Sequence, residues 1–173
     1  MRVMWVGTYE RDYPRTRVLV DGLAARGVEV GECHRPVWER QTHKAGGFLR
    51  PMSLISSGLR MVGAWASLSF EVARRGPADV VVAGYLAQPD AVPAWVVAKA
   101  KRAPLVVDMM ISLADTLGGD RGVAGRGVAT ALAGIDRVTL RLADLVMADT
   151  EAGARFLHER FGVPRRRIVV VPV

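Results

Sequence analysis

The chain has 173 residues, enough for one domain with its own core, and half of them are hydrophobic, which excludes an intrinsically disordered chain. The net charge is +7, and all but three of the 24 basic residues are arginine; they are scattered rather than interleaved with aromatic residues, so we expect no nucleic-acid partner. The single cysteine, Cys33, excludes an internal disulfide and, with no signal-peptide pattern at the N-terminus, favours a cytoplasmic protein.

Short runs rich in Val, Ile and Leu alternate with helical patterns along the chain. The predicted strands are residues 3–6, 28–33, 79–83, 104–107, 145–148 and 168–171. The predicted helices cover about residues 15–26, 51–75, 90–101, 126–143 and 150–161. We expect Asp90 to cap the third helix, Asp149 or Thr150 to cap the last, and Gly162 to end it. This alternation predicts an α/β fold, a doubly wound parallel sheet of about six strands with helices on both faces.

Charged residues follow the first and fourth predicted strands, and the carboxyl ends of strands are where a doubly wound sheet binds its ligands. With the strand order 3-2-1-4-5-6, residues 8–15 and 108–121 flank the point at which the order reverses. We therefore predict that the two loops face one another across a ligand crevice, with the residues after the third strand at its rim. The predicted crevice residues are Thr8, Tyr9, Glu10, Arg11, Asp12, Arg15, Gly84, Tyr85, Asp108, Ser112, Asp115, Asp120 and Arg121.

A structural role is the alternative for each of these residues. Aspartate and serine after strands often cap helices, and the four charged residues of the first loop are able to pair with one another. No known cofactor motif decides the matter. The chain lacks G-x-G-x-x-G after its first strand, a P-loop and a G-x-S-x-G elbow, and Cys33-His34 with His43 lacks zinc spacing. We therefore expect no bound cofactor and no metal.

The C-terminal segment carries the most specific pattern. In ADLVMADTEAGARFLHERFGVPRRRIVVVPV, residues 143–173, a strand ends in Asp149-Thr150, Glu151 starts a helix, and FGVP, three arginines and a final Val-Val-Pro strand follow. This segment resembles the end of the N-terminal domain of family 4 glycosyltransferases, although Val173 stands where the family has asparagine. Looser similarity in GTYERDYPRTRVLVDGLAARGVEV, without the family's paired glycines, and in ADVVVAGYLAQPDAVPAWVVAKAKRAPLVVD extends the resemblance over the whole chain.

The resemblance implies half of a GT-B fold. Residues 1–173 would form the Rossmann-like N-terminal domain on the acceptor side, and a C-terminal domain outside this sequence would bind the nucleotide-sugar donor. Since the sequence reaches Val173 directly after its last predicted strand, we expect it to be the first domain of a longer protein.

The resemblance also implies an activity. The enzyme would be a hexosyltransferase-like, retaining glycosyltransferase that transfers a sugar from a nucleotide sugar to a sugar or lipid-linked acceptor, and the predicted crevice residues would bind the acceptor. Many family members have a histidine after the fourth strand. Asp108 stands there in this chain and is the candidate catalytic residue. Without the donor domain, the isolated chain is expected to be inactive.

Two further interpretations rest on the residues alone. The first is an alternative function, a non-enzymatic small-molecule-binding or regulatory module on the same sheet. The second is a peripheral membrane contact through residues 48–75, which combine Met, Leu, Trp65 and Phe70 with the basic residues Arg50, Arg60, Arg74 and Arg75. For that segment the alternative is an ordinary helix whose apolar face covers the sheet.

Overall fold

A computed structural model of the chain describes residues 1–37, 51–116 and 126–172, with the backbone alone for 51–59 and 126. Within these residues, six strands lie at Arg2–Gly7 (β1), Glu29–His34 (β2), Val80–Ala83 (β3), Leu105–Asp108 (β4), Leu145–Ala148 (β5) and Ile168–Val170 (β6). Five α-helices lie at Pro14–Ala25 (α1), Pro51–Arg74 (α2), Ala87–Lys101 (α3), Arg126–Leu142 (α4) and Glu151–Phe161 (α5). The predicted α/β class and six-stranded sheet are confirmed.

All the strands are parallel and form one sheet in the order β2-β1-β3-β4-β5-β6. The predicted order 3-2-1-4-5-6 is wrong, because β3 lies between β1 and β4 and β2 lies at the edge. The chain passes from β1 outward to β2 and then returns across β1 to β3, so the order reverses between β1 and β3. Both orders use right-handed crossovers between buried apolar strands, and the hydrophobic pattern does not distinguish them.

The two faces of the sheet are covered by different helices. One face packs against α2, α3, α4 and α5, and its core includes Met4, Val6, Val81, Leu105, Val107 and Val146 from the strands and Leu68, Val97, Leu140 and Leu157 from the helices. The opposite face packs against α1, where Leu19 and Leu23 meet Val3, Trp5 and Val82. Alternate strand residues therefore serve two cores, which explains why the strands are almost continuously apolar.

Local chemistry accounts for most helix ends. Pro14 begins α1, because a proline in the first turn removes an N–H that has no partner within the helix. Thr150 caps α5, as predicted, by accepting a hydrogen bond from the Gly153 backbone N–H at 3.0 Å. Gly162 then ends that helix in a left-handed conformation, with a φ of 72°.

The predicted cap of α3 is wrong. The helix begins at Ala87, and its N-cap is Leu86, whose backbone is left-handed with a φ of 63°. Asp90 lies within the first turn and accepts hydrogen bonds from Thr8, at the end of β1. The carboxylate of Asp90, which the sequence pattern assigns to the helix end, is therefore bound instead in a tertiary contact with Thr8.

The longest of the described helices is α2, with 24 residues. No helix among the described residues is both long and apolar enough to cross a membrane.

Candidate functional site

Two tyrosines lie across the point at which the strand order reverses. Tyr13 follows β1 and stacks on Tyr85, which follows β3, with ring centroids 4.2 Å apart and planes 17° apart. Burial raises the pKa of Tyr85, and Tyr13 and the nearby carboxylates of Glu10 and Asp108 raise it further. Tyr85 therefore interacts electrostatically with one acid from each of the two loops predicted to form a crevice, Glu10 from the first and Asp108 from the second.

A buried ion pair connects those two loops. Arg15, in the first turn of α1, donates from Nε to both carboxylate oxygens of Asp108, at 2.9 and 3.0 Å. Its Nη1 donates to the carbonyl of Val171, after β6, at 2.8 Å. Both charged side chains are buried, with 3% and 0% of their surface exposed. The remaining nitrogen, Nη2, is buried and finds no hydrogen-bond partner within the described part of the chain.

The charge state of Asp108 is set by opposing effects. Burial raises the pKa of Asp108 to about 6, the guanidinium of Arg15 lowers it, and the carboxylate of Asp149 raises it. The contact of both its oxygens with the guanidinium of Arg15 favours the ionised form. Both carboxylate oxygens are occupied by Arg15, and a catalytic role for Asp108 stays a prediction.

A second buried carboxylate fixes the loop after β1. Asp90 accepts from the backbone N–H of Thr8 at 2.6 Å, from its hydroxyl at 2.9 Å, and from Nε1 of Trp65 at 3.1 Å. Burial raises the pKa of Asp90 to about 6, and the hydrogen bonds from Thr8 and Trp65 oppose that rise. The predicted crevice residue Thr8 is thus fully buried and bound to α3.

Gly7 is required beside this carboxylate. A Cβ at Gly7 would lie 2.6 Å from Oδ2 of Asp90, and the backbone has a φ of +146°, which side chains rarely adopt. The glycine that ends β1 therefore lets α3 approach the strand closely.

Tyr9 and Arg11 face the opposite edge of the sheet, toward β2. Glu32 accepts from the hydroxyl of Tyr9 at 2.9 Å and from Nε and Nη2 of Arg11 at 3.1 and 2.9 Å. The hydrogen bonds from Arg11 hold the pKa of Glu32 below its usual range against partial burial. Gly84 lies against the same tyrosine, since a Cβ there would lie 3.1 Å from the Tyr9 ring and would overlap Trp5.

The remaining predicted residues of the second loop face α4. The hydroxyl of Ser112 donates to Asp136 at 2.8 Å, and Asp136 also accepts from the next two backbone N–H groups of the loop. Asp115 lines a cavity of about 360 Å³ between this loop, α4 and α5, together with Arg137 and Arg160. Asp12 is exposed, and Asp120 and Arg121 lie outside the described residues.

The structure thus brings Arg15, Tyr85 and Asp108 together and directs other predicted residues elsewhere. The sequence patterns did not single out Tyr13. The available signal was its position in the loop of residues 8–15, directly before the first turn of α1. Nor did they indicate the carbonyl of Val171, for which a sequence carries no signal, since every residue has a carbonyl. Among the described residues, no three His, Cys, Asp or Glu side chains are grouped so as to hold a metal ion.

Comparison with solved structures shows the fold. The crystal structure of CalG4, the calicheamicin glycosyltransferase, matches with a TM-score of 0.58 and 14% sequence identity over 99% of this chain and 52% of that one. The chain therefore spans about half the length of that enzyme, and its sheet matches half of a GT-B glycosyltransferase.

Comparison with sequence families shows to which family the chain is related. No curated protein matches the chain. A family model for the glycosyl transferase 4-like domain matches residues 14–173, which confirms the resemblance found in the sequence. Because that match covers nearly the whole sequence, the chain belongs to the glycosyl transferase 4-like domain family.

Proposed function

We propose that the chain is the acceptor-binding domain of a glycosyltransferase that uses a nucleotide-sugar donor, and that the acceptor binds at the carboxyl ends of β1, β3 and β4. Membership of the family supports the reaction class. The place where the strand order reverses is where open α/β sheets bind ligands, and this supports the location. The observation that carries the proposal is the buried Nη2 of Arg15, which has no partner among the described residues.

Arg15 is suited to bind an acceptor oxygen. A buried donor without a partner costs about 1–3 kcal/mol, and a hydroxyl or phosphate oxygen in the crevice would remove that cost. The planar guanidinium offers several N–H groups in fixed directions. Asp108 occupies Nε and Val171 occupies Nη1, so Nη2 is the group left for a ligand. Because Nη2 is buried, the acceptor would reach it by displacing the side chains that cover it. In this proposal Asp108 is a positioning residue that holds Arg15 in place.

The stacked tyrosines would form the wall of the site. A tyrosine presents an apolar ring for the C–H face of a sugar and a hydroxyl that both donates and accepts. Leu86, directly after Tyr85, has a left-handed backbone, a strained conformation that clusters at ligand sites when the surrounding structure holds it in place. The strained turn and the contact with Tyr13 would together fix the ring of Tyr85 before the acceptor binds.

The donor would bind mainly to a second domain, with retention of the anomeric configuration, as the family resemblance implies. Within the chain alone, a few hydrogen bonds to a sugar would contribute about 0.5–1.5 kcal/mol each, because each replaces a bond to water. Acceptor binding should then be weak, with a Kd of roughly 1 mM, or about −4 kcal/mol. Transfer should be absent, because positioning two substrates and excluding water would need both domains.

The proposal that the donor binds outside this chain is tested by titrating the chain with a panel of nucleotide sugars in a calorimeter and by assaying hydrolysis of each. We expect no nucleotide sugar to bind more tightly than roughly 1 mM and no hydrolysis above the protein-free control. Binding at roughly 1 μM, or turnover above the control, would place the donor site within residues 1–173 and contradict the proposal.

A further inference from the structure

The outer surface of three adjacent helices exposes an unusual number of apolar side chains. Of the ten large hydrophobic residues exposed in the described part of the chain, seven lie on α2, α3 and α4. They are Val62, Phe70, Val92, Val96, Val128, Ile135 and Val138. The three helices cover the same face of the sheet, and α3 packs between α2 and α4, so these side chains point to the same side of the molecule.

The exposed charges carried by these three helices have one sign. In the described residues of the helices they are all basic, namely Arg60, Arg74, Lys99, Arg137 and Arg141, and Arg137 also lines a cavity with the exposed Asp115 of the neighbouring loop. The acids on these helices are not free at the surface. Asp90 and Asp136 are buried, and Glu71 is partly buried and paired with Arg35 and Arg75. We call these seven apolar and five basic side chains the α2–α4 face.

The other two helices differ from the α2–α4 face. The exposed surface of α5 includes the acids Glu151 and Glu159 beside its basic residues. The exposed surface of α1 includes Asp21 beside Arg17. Among the five described helices, the combination of exposed apolar side chains with positive charge alone therefore occurs on α2, α3 and α4, and the net charge of +7 does not by itself explain it.

We propose that the α2–α4 face docks on an anionic lipid bilayer. Apolar side chains on a helix lying in the interface enter the boundary between headgroups and acyl chains, and basic side chains around them contact anionic headgroups. Phe70 and Arg74 illustrate the arrangement, since the guanidinium lies 5.2 Å from the centre of a ring that is 64% exposed. The absence of exposed acids on the described parts of these three helices matches a surface with a net negative charge.

The structure changes which residues of α2 take part. The sequence pattern assigns both aromatic residues of this helix to the membrane contact. Trp65 instead lies inward and donates to Asp90 at 3.1 Å, whereas Phe70 is exposed. The helix also buries Leu68 and Val72 against the sheet, so it serves the core with one side and the α2–α4 face with the other.

The test is sedimentation of the chain with vesicles of phosphatidylcholine alone or of phosphatidylcholine mixed with phosphatidylglycerol, at low and high salt. We expect binding to the anionic vesicles at low salt, weaker binding at high salt, and little binding to the neutral vesicles. The double variant Arg60→Gln/Arg141→Gln should reduce the partition coefficient about fivefold for each arginine removed. Its matched control is Arg17→Gln/Arg155→Gln, on α1 and α5, which has the same net charge and should bind nearly as wild type.

A second pair of variants tests the apolar contribution. Val138→Ser should reduce binding about threefold, whereas Val18→Ser on α1 should have no effect. These two valines are 47% and 54% exposed, so loss of folding does not confuse the comparison. Equal losses in the test and control variants would show attraction by net charge alone and overturn the proposal. Absence of vesicle binding, with self-association in solution instead, would assign the face to a second copy of the chain and also overturn it.

Discussion

Replacing Arg15 by methionine removes a buried cation and retains most of the side-chain volume. Asp108 would then be buried without an opposite charge, and the carboxylate of Asp149 would still disfavour its ionised form. Removing one partner of a buried ion pair costs about 3–5 kcal/mol, because the other charge stays desolvated. We expect Arg15→Met to lower the free energy of unfolding by about this amount at neutral pH.

The loss in Arg15→Met should depend on pH. Without the guanidinium, the pKa of Asp108 in the folded chain rises above its wild-type value of about 6, further from the value in the unfolded chain. The folded state then binds the proton more tightly than the unfolded state, so stability falls as pH rises through the interval between the two pKa values. Each tenfold difference in proton affinity between the two states corresponds to about 1.4 kcal/mol, so the variant should be closer to wild type at acidic pH than at neutral pH.

These effects are measured by urea denaturation at acidic and at neutral pH, with the wild type, Arg15→Met and two further variants. Arg15→Met/Asp108→Leu removes both charges and should recover most of the loss, since apolar replacement of a buried pair is often neutral. Arg11→Met breaks the more exposed pair with Glu32 and should stay within about 1 kcal/mol of wild type. The cost assigned to the unpaired carboxylate is refuted if Arg15→Met is as stable as Arg11→Met, or if the double variant is no more stable than Arg15→Met.

Three further sites are tested by urea denaturation. Gly84→Ala should destabilise the chain by about 1–3 kcal/mol through overlap with Trp5 and Tyr9, whereas Gly22→Ala, whose Cβ meets nothing, should stabilise α1 by up to about 1 kcal/mol; equal effects would contradict the close contact. Thr150→Ala should cost about 1 kcal/mol by removing the cap of α5, and no loss would contradict the capping bond. Because the pKa of Asp90 in the folded chain is raised to about 6, the free energy of unfolding should fall as pH rises from about 4 to about 6. The fall should be roughly 1.4 kcal/mol for each tenfold difference in proton affinity between the folded and unfolded states. Asp90→Asn should weaken this dependence, and an unchanged pH profile in the variant would contradict the reasoning.

The sequence was sufficient to predict the elements and the fold class. The apolar runs of the strands are long enough to require burial on both faces, and threonine and glycine mark the two ends of α5 at Thr150 and Gly162. The strand order could not be predicted from the same apolar runs, because it depends on which connection between strands crosses β1. The start of α3 was misplaced for a related reason, since Asp90 is held by Thr8 across the sheet and not by its own helix end.

The candidate site was accessible only in part. Charge after the strands selects Arg15 and Asp108, which form one ion pair in the structure. The same signal also selected Arg11 and Ser112, whose partners Glu32 and Asp136 lie in directions that depend on the tertiary fold. A pattern of charged residues therefore indicates an edge of the sheet where charged side chains gather, but which of them lie together depends on their three-dimensional neighbours.

The most direct test of the proposed acceptor site is a map of amide chemical shifts in the isotope-labelled chain, titrated with alkyl glycosides, disaccharides and glycosyl phosphates. We predict shifts concentrated at Tyr13, Arg15, Gly84 and Tyr85, lost in Tyr85→Ala and retained in Asp115→Asn, whose side chain lines the separate cavity beside α4. Shifts concentrated around that cavity, or shifts that persist in Tyr85→Ala, would contradict the assignment of the acceptor to the crevice.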